Sequence, residues 1–371
     1  LEGVMLPEIG RIVTPDGVVN GTIIVEDDRF EGVIERDGKP SGWVLPGFVD
    51  AHCHGGGGHS LATGDADAAR AAAAFHASRG TTTLCASLVS STHEFLLEAT
   101  RALRPVVEDG TLAGVHFEGP YLSKSKCGAH DTEVLRDPDT AELAELIDAG
   151  GGAVKMVTIA PELPGAIEAI EFLDAKGIVA SIGHTDAGYE QTMAGIDAGA
   201  QSATHLFNAM RRFDHREPGP IPALLDDERI FSEIIADPAH LHPGTMRFAF
   251  DVSLPGWTLL VSDAMEAAGL SDGTYRLGRH EIAVKGGLAT VAGTDTIAGS
   301  TITLLDAVRN AVNLAGQSVE AASQMASATP AELLKLNDVG AIESGKFADA
   351  VVLDDDLNLV SVMRRGVWLK V

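Results

Sequence analysis

Residues able to ligate a metal recur along this 371-residue chain at the ends of short apolar runs. His52 and His54 stand in Phe48-Val49-Asp50-Ala51-His52-Cys53-His54, and four glycines follow at once. If Val49 to His54 is a strand, side-chain alternation places both imidazoles on one face and turns Cys53 the other way. Two imidazoles so placed can grip one divalent cation, and the glycines let the backbone turn sharply and leave space above it. A His-x-His pair alone is a weak signal. It gains weight because Glu118, His184, His205 and Asp263 each close a later strand-like run. Taken singly, a strand-end histidine is more often a satisfied polar group, Glu118 could cap a turn, and Asp263 could start a helix. Four histidines and two carboxylates at equivalent ends are much harder to explain that way. Such donors suit zinc and related divalent ions.

The elements that must position these residues alternate between strand and helix, the pattern of a parallel sheet with crossover helices. After the first strand, Asp65 starts an Ala-rich helix that Gly80 closes. Thr82–Leu88 is the next strand, and Ser91-x-x-Glu94 reads as a capping box opening a helix to about Glu108. Further strands are expected at 112–118, 153–160, 178–184, 202–206, 230–236 and 257–263, with helices such as 140–149 and 166–176 between them. Eight strands are what a (β/α)8 TIM-type barrel requires, and its strand C-termini share the catalytic face. β-branched residues around a Pro15-Asp16-Gly17 turn mark strands within 8–36, and 350–354, 359–363 and 366–369 look alike. Both chain ends are therefore expected to build one small β-sandwich domain, from 1–45 and 337–371. The barrel takes 46–336, with a β-hairpin insertion near 272–295 that is a candidate to join the small domain.

A net charge of −26 with no basic block argues against nucleic-acid or anionic-membrane partners. The same charge requires any phosphate site to be a local cluster of Arg or His. Three scattered cysteines, Cys53, Cys85 and Cys127, do not make a disulfide framework and favour a reducing, cytoplasmic setting. No run reaches membrane-spanning length, and the N-terminus lacks a charged-then-apolar leader pattern.

Several motifs carry a specific resemblance. Val44–Gly55 resembles the opening motif of the amidohydrolase superfamily, and Gly345–Leu353 resembles that superfamily's return into the small domain. Within it, His116-Phe117-Glu118-Gly119-Pro120-Tyr121, Gly183-His184-Thr185, Thr204–Met210 and Ser262-Asp263-Ala264-Met265 are similar to the N-acetylglucosamine-6-phosphate deacetylases. The match runs in order over nearly the whole chain.

The resemblance implies that Glu118 bridges two metal positions, where many superfamily members use a carboxylated lysine. His52 and His54 would complete one position, and His184 and His205 the other, with one or two ions, expected to be zinc. Lys155 is the rival for a carboxylated lysine and ranks lower because Glu118 already supplies a carboxylate. Asp263 is implied as the general base and then acid. It would take a proton from water activated by the metal and return it to the departing amine, giving acetate and glucosamine 6-phosphate. Substrate contacts are implied for Asn208, Ala209, Arg216 as a phosphate ligand, His130 and His240. The family usually shows Asp-Gly-x-His where this chain has Asp237-Pro238-Ala239-His240, so His242 competes for that role. Phosphate contacts in the family can cross a subunit interface, so a homodimer is expected. Cys127, in the loop 123–130, is a weaker candidate for a ligand contact, and Arg211 and Arg212 read first as a solvated basic stretch. His59, His76, His93, His215 and His280 read as structural or solvated. Two alternatives stand: another cyclic-amide or N-acyl hydrolase of the superfamily, and a non-catalytic metal-binding scaffold.

Overall fold

A computed structural model describes residues 9–254 and 256–370. The first eight positions of the expected 1–45 segment therefore lie outside the described residues. Eight parallel strands pair in chain order: β1 (Phe48–Asp50), β2 (Thr81–Val89), β3 (Gly114–Tyr121), β4 (Val154–Ile159), β5 (Val179–Ile182), β6 (Ser202–Ala203), β7 (Phe231–Ile234) and β8 (Thr258–Leu260). β1 and β8 do not pair as strands. The barrel closes just beyond them, where Asp263 N–H donates to the His52 carbonyl at 2.9 Å and His54 N–H to that of Ala264 at 2.7 Å.

Most expected elements appear, with shifted bounds. The first strand ends at Asp50, so His52 and His54 lie past it in irregular backbone rather than within it. Asp65 does cap its helix, its side chain accepting from Ala68 N–H at 2.8 Å. That helix ends at Ala77, and Gly80 belongs instead to the turn into β2, where its carbonyl receives Phe48 N–H. The next helix, His93–Glu108, is capped by Thr92, one residue after the expected Ser91, with Phe95 N–H bonded to the Thr92 hydroxyl.

Inward-facing residues form layers set by the period of two. Val49, Cys85, Met156, Val179 and Leu259 make an apolar floor that Ala331, Leu333 and Leu334 cover from below. Above it the same strands turn in a polar layer. His116 donates to or accepts from Ser87 Oγ at 2.9 Å and Thr158 Oγ1 at 2.8 Å, and Thr204 Oγ1 joins Thr158 at 2.9 Å and Ser181 at 2.6 Å. Every member of this chain is buried yet bonded, which is what makes a polar core tolerable.

The chain ends form a separate sheet, hydrogen-bonded as one continuous array of seven strands, in which Trp43–Pro46 pairs with both Gly10–Thr14 and Ala350–Leu353. The stretch near 272–295 joins neither this sheet nor the barrel. It makes its own three-stranded sheet (Gly273–Leu277, His280–Lys285, Leu288–Val291), because its apolar face packs on Met265 and Ala267 just after β8, with Val89 and Ala129 beside it. No helix among the described residues is long and apolar enough to cross a membrane.

Gly47 joins the terminal sheet to β1, and its N–H donates to the Asp349 carbonyl at 2.8 Å. A Cβ there would run into Thr82 and Asp349. Gly47→Ala is expected to cost about 1–3 kcal/mol, the usual price of overpacking, read as a lower urea midpoint with an unchanged m-value.

Candidate active site

β1, β3, β5, β6 and β8 deliver their ligating residues to one end of the barrel. His52 Nε2 lies 3.2 Å from His54 Nε2 and 3.5 Å from Asp263 Oδ1, and His54 Nε2 is 3.2 Å from that same oxygen. A second group sits beside the first: His184 Nε2 and His205 Nε2 are 3.0 Å apart, and each is 3.0 Å from Glu118 Oε1. The other oxygen of Glu118, Oε2, reaches His54 Nε2 at 3.1 Å. Glu118 thus spans both groups. Lys155 is kept away, its side chain lying against Gly114 at the opposite end of β3.

Contacts behind the rings fix which nitrogen faces the centre. His54 Nδ1 lies 3.0 Å from the Ser87 carbonyl, His184 Nδ1 2.8 Å from the Lys126 carbonyl, and His52 Nδ1 3.0 Å from Glu233 Oε2. These partners only accept, so each Nδ1 carries a proton, and in its neutral form each ring presents a bare Nε2 lone pair. Lone pairs of nitrogen and carboxylate oxygen therefore confront each other at close range in a buried space. A bound cation reconciles that arrangement. Donors around a tetrahedral ion at about 2.0 Å are themselves about 3.3 Å apart, which is the spacing present here. The donor set fits a divalent ion.

In the protein alone, protons take over part of the cation's role. Burial works against charge on every member. At His54 the Asp263 and Glu118 carboxylates overcome it and raise the pKa to about 9. At His184 burial prevails, with His130 and His205 nearby, and the pKa falls to about 4. Glu118 is held well below the usual carboxylate range because the surrounding imidazoles outweigh its burial.

A cavity of about 470 Å³ opens over these groups. His130, Asn208, Ala209 and His240 line it together with His54, Glu118, His184, His205 and Asp263. His130 Nδ1 accepts from Ser90 N–H at 3.3 Å, so its Nε2–H points at Glu118 Oε2, 3.2 Å away. His240 is held by Asp237, whose Oδ2 lies 2.7 Å from Nδ1; although burial pulls its pKa down, this carboxylate raises it overall. His242 does not line the cavity and instead caps the helix Pro243–Val252 through Nδ1.

The cavity of this chain differs from the sequence reading at three residues. Arg216 does not line it; the run from Phe213 to Glu217 is solvent-exposed, and Arg212 takes the place on the cavity wall. Cys127 does not line it either, although Lys126 and Gly128 on either side do, and partial burial raises its thiol pKa, the reverse of a reactive thiolate. His280, read as structural or solvated, lines the cavity beside Arg279 at the tip of the three-stranded sheet. Lys126, Arg212 and Arg279 thus bring a local group of cations to a strongly acidic chain.

The amidohydrolase family model matches residues 43–369. The chain belongs to the amidohydrolase family. It is 34% identical to the N-acetylglucosamine-6-phosphate deacetylase of Vibrio furnissii, with 96% of this chain and 90% of that one covered. It is also 34% identical to the N-acetylgalactosamine-6-phosphate deacetylase of Escherichia coli O157:H7, covering 96% and 97% respectively. Among solved structures, an aspartate-to-alanine variant of N-acetyl-D-glucosamine-6-phosphate deacetylase from Mycobacterium smegmatis, in complex with N-acetyl-D-glucosamine-6-phosphate, superposes with a TM-score of 0.94. It is 43% identical and covers 99% of both chains. Family membership and the two donor groups together indicate a divalent metal.

Sequence reasoning missed Glu233, Arg279 and the pocket role of His280. For Glu233 the signal was present: a lone carboxylate in the apolar run Ile230–Ala236 of an amidohydrolase barrel strand has to face something inside. For Arg279 there was none, since its place follows from where the three-stranded sheet docks.

Removing divalent metal with a chelator is expected to lower the melting temperature, and adding it back to restore it. An ion at a hundred times its Kd contributes about 2.7 kcal/mol. Glu118→Ala, which removes the carboxylate shared by both groups, is expected to abolish most of that metal-dependent rise.

Proposed function

We propose that this chain hydrolyses the N-acetyl group of N-acetylglucosamine 6-phosphate, giving acetate and glucosamine 6-phosphate in amino-sugar catabolism and recycling. The observation that carries this reading is Asp263. It is a carboxylate 3.2 Å from His54 Nε2 that also faces the open cavity, next to donor groups fit for a metal. A purely structural site would close its coordination and keep no such carboxylate at the mouth of a pocket, which disfavours the scaffold alternative. The deacetylase relatives at 34% to 43% identity supply the sugar and the acyl group.

In this reading zinc is the ion, and His52, His54, His184, His205 and the shared Glu118 would hold it, at one or two ions per subunit. When bound, it polarises a carbonyl oxygen and makes water more acidic. The protein's own residues carry the rest. Asp263 takes a proton from the attacking water and passes it to the amide nitrogen as the C–N bond breaks, because an amine leaves only when protonated. His130 and His240 hold the acetyl and sugar portions. Asn208 and the Ala209 backbone, with Arg212 on the wall, face the phosphate. The protein works as a cytoplasmic homodimer, and Arg216, exposed on its own subunit, reaches the phosphate bound by the partner subunit.

The galactosamine-directed relative gives a second reading, the C4 epimer of the same substrate. Acetate release from N-acetylglucosamine 6-phosphate, N-acetylgalactosamine 6-phosphate and unphosphorylated N-acetylglucosamine, measured side by side, separates these readings. The first should turn over best, and losing the phosphate should lower kcat/KM by about 10- to 100-fold, the worth of one or two charged hydrogen bonds. Turnover of none of them would leave the wider group of cyclic-amide and N-acyl hydrolases and the non-catalytic scaffold. Asp263→Asn should lose about 10²- to 10⁴-fold in kcat while retaining its metal by elemental analysis; unchanged turnover would sink the mechanism.

A further inference from the structure

Glu233 lies on β7 with no solvent exposure and does not line the cavity. Its Oε2 sits 3.0 Å from His52 Nδ1 and 3.0 Å from the backbone nitrogen of His205, and accepts from both. Its own carbonyl accepts from Leu206 N–H at 2.8 Å. His52 belongs to one donor group and His205 to the other, so a single carboxylate oxygen ties the two together from beneath.

A comparison among the four imidazoles sharpens the point. His52, His54 and His184 are each oriented through Nδ1. His205 Nδ1 is buried with no hydrogen-bond partner among the described residues. What holds His205 is its backbone, which adopts the unfavourable φ of 29°. Side chains hold that backbone at both ends: its N–H donates to Glu233 Oε2, and its carbonyl accepts from Asn208 Nδ2 at 3.2 Å. Burying a carboxylate is costly unless it is well paired, and Glu233 Oε1 has no partner among the described residues. Packing alone would favour an apolar side chain, as at Ile235 one step further along the same inward face.

We propose that Glu233 is a positioning residue that sets the spacing of the two donor groups, aiming the His52 ring and fixing the His205 backbone at once. This rests on reading both groups as metal ligands. Partners of this kind behind metal ligands typically change metal affinity about 10- to 100-fold when removed.

The test uses metal-free protein titrated with Zn²⁺ against a chromophoric chelator, with Glu233→Gln and Glu233→Leu beside the wild type. Melting of each metal-free protein and steady-state kinetics accompany it. Glu233→Leu is expected to weaken every bound equivalent by about 10- to 100-fold and to lower kcat with little change in KM. Glu233→Gln, which keeps an acceptor oxygen in place, should weaken each equivalent less. Wild-type isotherms in both variants would overturn the proposal, and weakening confined to one of two equivalents would overturn the shared role. If Glu233→Leu does not fold, Glu233→Gln decides: weaker binding at an unchanged metal-free melting temperature supports the role, and unchanged binding refutes it. A wild-type protein that takes up no zinc would overturn the metal reading itself, whereas normal uptake with unaffected variants removes Glu233 alone.

Discussion

Lone pairs meeting lone pairs is the constraint on which the rest of this molecule depends. Around Glu118, four imidazole nitrogens and two carboxylates converge with their electron-rich atoms inward, 3.0 to 3.7 Å apart. Such an arrangement repels itself unless positive charge, a proton or a metal ion, lies within it. The rest of the barrel therefore has to hold the donors in place against that repulsion. It does so through the carbonyls of Ser87 and Lys126 and the carboxylate of Glu233, all standing behind the rings.

The backbone shows the same tension. His184, His205, Phe207, Ala209 and Asp263 all adopt positive φ although none is glycine. Each such residue costs of order 1–3 kcal/mol, and all five lie at the cavity or its ligand groups. The saturated hydrogen bonding of the polar layer beneath, from Ser87 through His116 to Ser181, provides a rigid base for these turns. Of the nine such positive-φ residues among the described ones, these five are gathered at the site and the other four, Asp27, Lys335, Leu357 and Arg365, lie away from it.

Much of this was legible before any coordinates, for a physical reason. A parallel barrel converts position along the chain into position around a ring, so residues ending successive strands must share a face. That rule alone brought His52, Glu118, His184, His205 and Asp263 together, even though the first strand stops two residues short of His52. Properties set by contacts between distant segments were not legible. Whether Arg212 or Arg216 meets the cavity depends on how the loop after β6 folds back. The presence of Arg279 and His280 depends on where the three-stranded sheet docks. Glu233 stood in the open sequence, but its meaning required seeing that one oxygen serves two histidines from different strands. The one-residue shift of a helix cap from Ser91 to Thr92 is a smaller case, since either hydroxyl suits the position and local geometry decides.

The seam of the barrel carries one more consequence. The ring closes through Asp263 N–H on the His52 carbonyl and His54 N–H on that of Ala264, not through paired strands. The bonds that shut the cylinder are thus made by the first and last ligating segments themselves. During synthesis the first of these bonds requires the chain out to Asp263 and the second out to Ala264. A ribosome-bound fragment that ends before the eighth strand carries five of the donors and lacks both the sixth and the closure that aligns them. Of the two donor groups, the one built on His52 and His54 therefore cannot be completed until residue 263 has been made, whereas all three residues of the other have been made well before that.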